Sequence, residues 1–506
     1  MCAQVGTFVT SSEVPAATTT AYDAATAFVV GFADWGPSGA PVLVRTLPDM
    51  AATIGSPAGS GNPYSSRTST SAVSFDALET YFGEGGYRAY FTRVVGPNPT
   101  YSSLALQDVS ASTSITVTAA YQGAGGNAIY VAVNNAGLSY SLTLQDFSGN
   151  PLAISPSFAS NAAGVTWLGT TGLATGVAGP GGLPRTLSAT PLSGGTDDNS
   201  NATLTNWQNA LAALPPSLGP GQVFAPGQTV STLNGIWNAL GAHAQTNNRV
   251  ALCDMDDNTL VTALVAQVTT IATSGIASYC GFWAGNLTIP GAVPNTTRSV
   301  SPSAAIAGMC ANADNRGTGN INQAVAGVNY PLQFAYQNTS TISGAGGAIY
   351  NSSDLFKLND AGINTFAVRG GQFLNYGFVA VVPSTNDVIY WQLNHGRTRM
   401  SIIADAQGVG EPFVFSQVDG QGADSQAFAS ALVAMLTGYY RRGALYGATP
   451  TAAFSVDVGS DINTATSLEG GQLNAALTVS YSPFAQSVTI NLNAVPLTVA
   501  AANIAA

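Results

Sequence analysis

Charge is what this sequence has least of. Only 8% of its 506 residues are Asp, Glu, Lys or Arg, against about a quarter in an ordinary soluble domain. Lysine occurs once, as Lys357, and histidine twice, as His243 and His395. With a formal net charge of −11 the chain has no basic footprint for a phosphate backbone, which excludes direct nucleic-acid binding. It also lacks most of the side chains that carry proton transfer. There is no Gly-x-Ser-x-Gly, no phosphate loop around the single lysine, no His-x-x-x-His and no EF-hand loop. Gly123-Ala-Gly-Gly126 reads as a turn, and Asn394-His395-Gly396 as a loop or strand end with a structural histidine. These absences argue for a protein that is not an enzyme and holds no cofactor or metal.

Cysteine is equally sparse. Cys2, Cys253, Cys280 and Cys310 show no metal-ligand spacing. Buried free thiols are the favoured reading, and a Cys253–Cys280 or Cys280–Cys310 bridge stays open. No acidic cluster stands out; Asp254, Asp256 and Asp257 come closest. The start of the chain has neither the basic nor the apolar region of a signal peptide. No run of about 18 apolar residues occurs, so no membrane-spanning helix is expected and the chain is expected to be made in a cytoplasm.

What is present is small and polar. There are 56 Gly, with abundant Ala, Ser, Thr and Asn, while hydrophobic content is an ordinary 46%. That combination argues for folded domains rather than disorder, and 506 residues exceed one compact core. Low charge suits a subunit packed against copies of itself; a coding bias or a neutral secreted surface would give the same composition.

Along the chain, Val5-Gly-Thr-Phe-Val9 alternates as one strand and is followed by a Ser/Thr/Ala/Pro linker. From Phe28 to Val95 the pattern is strand, turn, strand, helix, strand. Between 97 and 192, Ser/Thr-rich alternating runs (Ser114–Thr118, Ala128–Val133, Leu138–Leu144) predict an all-β sandwich or barrel. Helices are predicted over Leu204–Leu214, around Ile236–Leu240 and over Leu260–Ala272. The alternating strands Gln222–Pro226 and Arg249–Cys253 make an α/β layer. The stretch 284–350 reads as loop-rich, and 361–404 as two or three strands and the start of a helix. Ser425–Arg442 is a strong amphipathic helix, with Phe428, Leu432, Met435, Leu436 and Tyr439 on its apolar face and Gly443 as its stop. Strands Ala453–Val458 and Leu473–Tyr481 follow. After Pro483, Gln486–Asn493 alternates as a last strand.

Several of these segments resemble, in order, the contractile-tail sheath family. Gly443-Ala-Leu-Tyr-Gly-Ala-Thr-Pro-Thr-Ala-Ala-Phe454-Ser-Val, then Asn463-Thr464 and Gly470-Gly-Gln-Leu473, are similar to its closing domain. Ala27-Phe-Val-Val-Gly31-Phe-Ala-Asp-Trp-Gly36-Pro37, Gly83-Glu-Gly-Gly86 with Tyr90-Phe-Thr-Arg-Val94, Gln122-Gly-Ala-Gly-Gly-Asn127 and Ala361-Gly-Ile-Asn364 resemble its other motifs. Pro302-Ser-Ala-Ala-Ile-Ala-Gly308 and Asn312-Ala-Asp314-Asn-Arg316-Gly317 are looser matches. Asn312 stands where the family has an arginine, which puts that arginine's contact in doubt.

The resemblance implies an α+β multidomain fold: a mixed α/β sheath core built from N- and C-terminal parts, a β-sandwich or barrel insertion, and extended terminal strand arms. The expected divisions are an N-terminal arm (1–22), the first part of the core (23–97), the insertion (98–192), the α/β core (193–360), a C-terminal domain (361–485) and a C-terminal arm (486–506). It implies homo-oligomeric rings, hexameric in the family, stacked on an inner tail tube between baseplate and tail terminator proteins. The location implied is a virion's contractile tail, assembled in the host cytoplasm. The arm strands, with Val5, Phe8 and Val9 at one end and Val488, Ile490 and Leu492 at the other, would add to neighbouring subunits' sheets; pairing within the chain's own domain is the alternative. Tyr439, Arg441 and Arg442 are candidates for the tube contact, the alternative for the arginines being to complement the helix dipole. Outside the resemblance, a self-assembling virion-surface or S-layer-like β-rich protein stays open, and more remotely a carbohydrate-active enzyme with atypical residues.

Overall fold

The computed structural model describes residues 24–55, 72–257, 260–291, 295–315, 321–335, 337–338, 350, 352–381 and 389–492. The expected strand Val5–Val9, the linker after it and Cys2 lie outside the described residues.

Elements follow the chain. The first part holds β1 (Ala27–Phe32), β2 (Val42–Val44), α1 (Leu47–Ile54), α2 (Ala72–Gly83) and β3 (Ala89–Val94). Next come β4 (Ser103–Gln107), β5 (Thr113–Ala119), β6 (Tyr130–Asn135), β7 (Tyr140–Gln145), β8 (Pro151–Ile154), α3 (Asn161–Thr170), β9 (Ala174–Ala178) and β10 (Leu187–Pro191). The chain then alternates through α4 (Leu204–Ala212), β11 (Gln222–Phe224), α5 (Ile236–Thr246), β12 (Val250–Asp254), α6 (Val261–Ala272) and β13 (Cys280–Trp283). Beyond lie β14 (Leu287–Pro290), β15 (Thr297–Val300), α7 (Pro302–Asn315), β16 (Gln337–Asn338), α8 (Ser352–Asp360), β17 (Ile363–Asn364), β18 (Phe366–Arg369) and β19 (Gln372–Asn375). The last elements are α9 (Leu393–Gly410), α10 (Ala423–Arg441), α11 (Pro450–Ala453), β20 (Phe454–Asp457), α12 (Ala465–Glu469) and β21 (Ala476–Val479).

The central sheet runs β17-β13-β12-β11-β1-β3-β2. All neighbours are parallel except β2, which is antiparallel to β3 at the edge. Strands buried on both faces read as continuous apolar runs, as in Ala27-Phe-Val-Val. Phe28 and Val30 pack with Trp207, Trp237 and Leu264 from α4, α5 and α6. Val29 and Phe91 pack with Phe75, Leu78 and Tyr81 of α2 and Ala304 and Ala307 of α7 on the other face. Cys253 and Cys280 sit on adjacent strands of this sheet and, with Cys310, are free and buried.

Residues 103–191 form two antiparallel sheets, β4-β5-β9 and β10-β6-β7-β8. Ile115 and Val117 of one share a core with Val131, Leu142 and Leu144 of the other. The sequence reading had no helix here; α3 contributes Leu168 to that core. Its Ser160 N-cap accepts from the Ala163 N–H, but its apolar face is too weak to register in the pattern.

Two further readings are corrected. The stretch 284–350 contains the buried helix α7, whose Ala, Ser and Gly residues are enclosed on nearly all sides and so give no amphipathic stripe. Asn394-His395-Gly396 lies in the first turn of α9 rather than in a loop, and for the same reason: Leu393–Met400 is buried with one exception.

One side chain links these parts. Arg93 of β3 is buried, and its guanidinium donates to the carbonyls of Ala33 (2.9 Å), Gly36 (2.9 Å) and Gln122 (2.8 Å) and to the carboxylate of Asp197. Burial works against its charge, and Asp197 offsets that. Gly123, at φ 120°, lets the backbone pass beside the pair: a Cβ there would lie 2.3 Å from an Arg93 nitrogen. Arg93→Met is expected to lower unfolding free energy by about 3–5 kcal/mol by leaving three backbone carbonyls and the half-buried Asp197 carboxylate without their common donor. Adding Asp197→Leu should recover part of it, measured by denaturant unfolding of both variants.

Candidate assembly surface

With so few titratable groups, the remaining question is whether any of them meet. Among the described residues no group of three or more His, Cys, Asp or Glu is arranged to hold a metal. Asp254 is buried at the start of α7, where it accepts from Ser303 N (2.8 Å), Ser303 Oγ (2.8 Å) and Gly227 N (3.0 Å). Burial raises its pKa to about 6. Asp256 and Asp257 instead accept from Gln267 and Asn286. His243 contacts Arg249 (2.7 Å), and burial first, then that guanidinium, hold it near pKa 3. No helix among the described residues is long and apolar enough to cross a membrane.

The surface that does stand out is C-terminal. Helices α9 and α10 pack against β20 and β21 around Ile402, Leu436, Tyr439, Leu445 and Phe454. Strands β20 and β21 pair antiparallel, Phe454 opposite Val479 and Asp457 opposite Ala476. Among the described strands they pair only with each other, so each presents one open edge. A two-stranded ribbon alone is marginal in water; the packing of α9 and α10 supports this one, and its open backbone edges can still take a further strand. Asn463 braces the loop between them: its Nδ2 donates to Val458 O (2.9 Å) and Asn474 O (2.8 Å), and its Oδ1 accepts from Asn474 N (2.7 Å).

The chain leaves this unit through a polar clamp at the head of α9. Gln392 pairs with Phe484 as a neighbouring strand would, donating from Nε2 to its carbonyl (3.1 Å) and accepting its N–H at Oε1 (3.0 Å). Asn394 donates to Ser482 O (3.0 Å), His395 faces the same carbonyl (3.2 Å), and the His395 ring stacks on Tyr481. Beyond the clamp, 486–492 belongs to no strand of this chain, and Val488, Ile490 and Leu492 are 79%, 86% and 93% exposed. The expected strand over Gln486–Asn493 keeps its alternation, and among the described residues 486–492 pairs with no other strand. Val5, Phe8 and Val9 fall outside the described residues.

Of the three tube-contact candidates, Tyr439 is not at the surface. It is buried, and its hydroxyl donates to Asp405 Oδ2 (2.6 Å). Its place on the apolar face of α10 was the warning. Arg441 and Arg442 are exposed at the end of that helix. Sequence reasoning missed Gln392 and Asn394, since a side chain that imitates a strand leaves no periodicity.

No protein-family model matches the chain, and no curated protein sequence does. Solved structures do match. A sheath tail protein from Desulfitobacterium hafniense superposes with a TM-score of 0.60 at 13% identity, over 90% of this chain and 93% of its own. One from Listeria innocua gives 0.58 at 14% identity, over 86% and 89%. The helical sheath of the anti-feeding prophage in its contracted state gives 0.53 at 15% identity, over 97% and 99%. The chain thus has the fold of contractile sheath proteins.

Replacing Gln392 with Ala removes both bonds to Phe484. At about 1 kcal/mol for a net hydrogen bond, amide exchange at Phe484 should quicken at least about fivefold while α10 is unaffected, read by hydrogen–deuterium exchange.

Proposed function

We propose that this chain is the repeating subunit of a contractile sheath, a non-enzymatic mechanical protein that polymerises as stacked rings around an inner tube. The observation that carries the reading is the pairing of an unmet supply with an unmet demand. An extended segment with Val488, Ile490 and Leu492 exposed leaves a domain whose own β20–β21 ribbon has open edges. Strand addition between subunits satisfies both, and the likeness to sheath proteins over most of the chain supports it. The segment 1–22 is proposed as a second arm.

A sheath of this kind would store energy as the difference between two sets of subunit contacts, with arms keeping neighbours joined while bodies rotate. Residues 98–192 are proposed to face outward and to be dispensable for the core. Their ends meet at one base, where Gly96 N donates to Asp197 O (2.9 Å) and Ser103 N to Ser193 O (2.8 Å). Baseplate, inner-tube and tail terminator proteins are the partners proposed, and a virion tail the location.

Negative-stain microscopy of the purified chain should show helical tubes or ring stacks; flat lattices would favour the surface-layer reading instead. A chain ending at 485 is expected to stay folded and monomeric, because 486–492, the described part of the removed residues, makes no strand in its own subunit. Loss of folding, or tubes as before, would count against the arm.

Arg441 and Arg442 are proposed to meet the inner tube, each exposed pair contributing about 0–1 kcal/mol summed over many copies. Reversing both to Glu should abolish co-assembly with the tube while sheath self-assembly persists, seen by co-sedimentation.

A further inference from the structure

The connection between α9 and α10 carries an exposed apolar knob, which with Phe413, Phe428 and Leu468 lines an open cleft. Phe415 is fully exposed, and Val414 and Val418 beside it are 55% and 41% exposed. Phe415 also has φ 64°, a backbone region that a bulky residue adopts at a cost. Strain of this kind, holding a bare aromatic outward, is characteristic of a contact surface rather than of a packed loop.

Elsewhere the same chain has a matching hole. A cleft of ≈ 700 Å³ opens between α8, the 324–330 segment and the β18–β19 hairpin, with Phe484 on one wall. That size lies within the range of about 300–1,000 Å³ found for ligand clefts, ample for an aromatic ring and its flanks. Tyr330, Phe356, Tyr376 and Trp391 line it. The Trp391 Nε1 and Asn359 Oδ1 are buried without a hydrogen-bond partner, one donor and one acceptor. Arg369 stands on the cleft wall, over the Tyr376 ring. The knob is preceded by Glu411, and the cleft's own acid, Asp360, is the one group of unfavourable sign.

We infer that the Val414–Phe415 knob of one subunit inserts into the cleft of a second copy, with Phe415 among the cleft aromatics. The lining of the cleft and the knob share no residue, so the contact is head-to-tail. Head-to-tail contacts build rings or helices rather than closed dimers. The cleft wall continues into the clamp from which residues 486–492 depart, so the knob would bind where the exchanged segment leaves its owner. The inference rests on the sheath reading above.

The test uses full-length chains. Phe415→Asp and Phe356→Asp should each raise the protein concentration needed for tube formation at least tenfold, with thermal unfolding of the monomer unchanged. Mixed together below that concentration, they should form a discrete heterodimer by analytical ultracentrifugation, because one intact knob still meets one intact cleft. A monomeric mixture, or Phe415→Asp tubes at the wild-type concentration, would overturn the knob and leave the sheath reading intact. A wild-type chain that never polymerises would overturn both.

Discussion

The Arg93 guanidinium is the contact on which the arrangement of the N-terminal half depends. It sits where four chain segments converge: the turn after β1, the end of β3, the turn at Gln122 inside the β-rich module and the module's exit at Asp197. A neutral side chain could fill the space but could not satisfy three carbonyls and a carboxylate together. The surroundings are shaped to it, with Gly123 leaving room for the pair and Asn127 closing the base. Asn127 accepts from Ser102 Oγ (2.8 Å) and Gly195 N (3.0 Å), and its own amide donates to Gly195 O (2.9 Å). In a chain with so little charge, one buried arginine thereby organises an unusual amount of backbone.

The same logic explains how much was readable beforehand. The short motifs singled out from the sequence mark polar side chains that stitch distant backbone. Glu84 of Gly83-Glu-Gly-Gly86 accepts the N–H groups of Gln333, Phe334 and Ala335. Asn364 of Ala361-Gly-Ile-Asn364 bridges Phe282 O, Val379 O and Val379 N. Elements with strong periodicity, such as α10 and β5–β7, were equally legible. What escaped were α3, whose apolar face is weak, α7 and the front of α9, enclosed on nearly all sides and so without a polar face, and the Gln392 clamp, which imitates a strand through one amide. Tyr439, on the apolar face of α10, was legible as core, and its burial conflicts with the tube contact expected of it.

The C-terminal unit is finished differently from the rest. The central sheet is closed by helices on both faces, and the module at 103–191 by its own second sheet. The β20–β21 ribbon has helices on one side and, among the described strands, no neighbour along either outer edge. Its rigidity therefore comes from side-chain bracing, by Asn463 in the connecting loop and by Gln392, Asn394 and His395 at the exit, rather than from sheet width. Bracing of that kind fixes direction without burying much surface. It leaves the strand edges geometrically prepared and chemically unsatisfied.

The closed base of the β-rich module also bears on how the module could be exchanged. Because the backbone enters at Gly96–Ser103 and leaves at Ser193–Asp197 through paired bonds, the two ends are held side by side by residues that lie outside the module's own core. A different module with adjacent termini could be exchanged there if it kept the contacts of Gln122 and Tyr121 with Arg93 and Trp35. The boundary is therefore a joint at which one compact module could be replaced by another while the strands of the central sheet stay as they are.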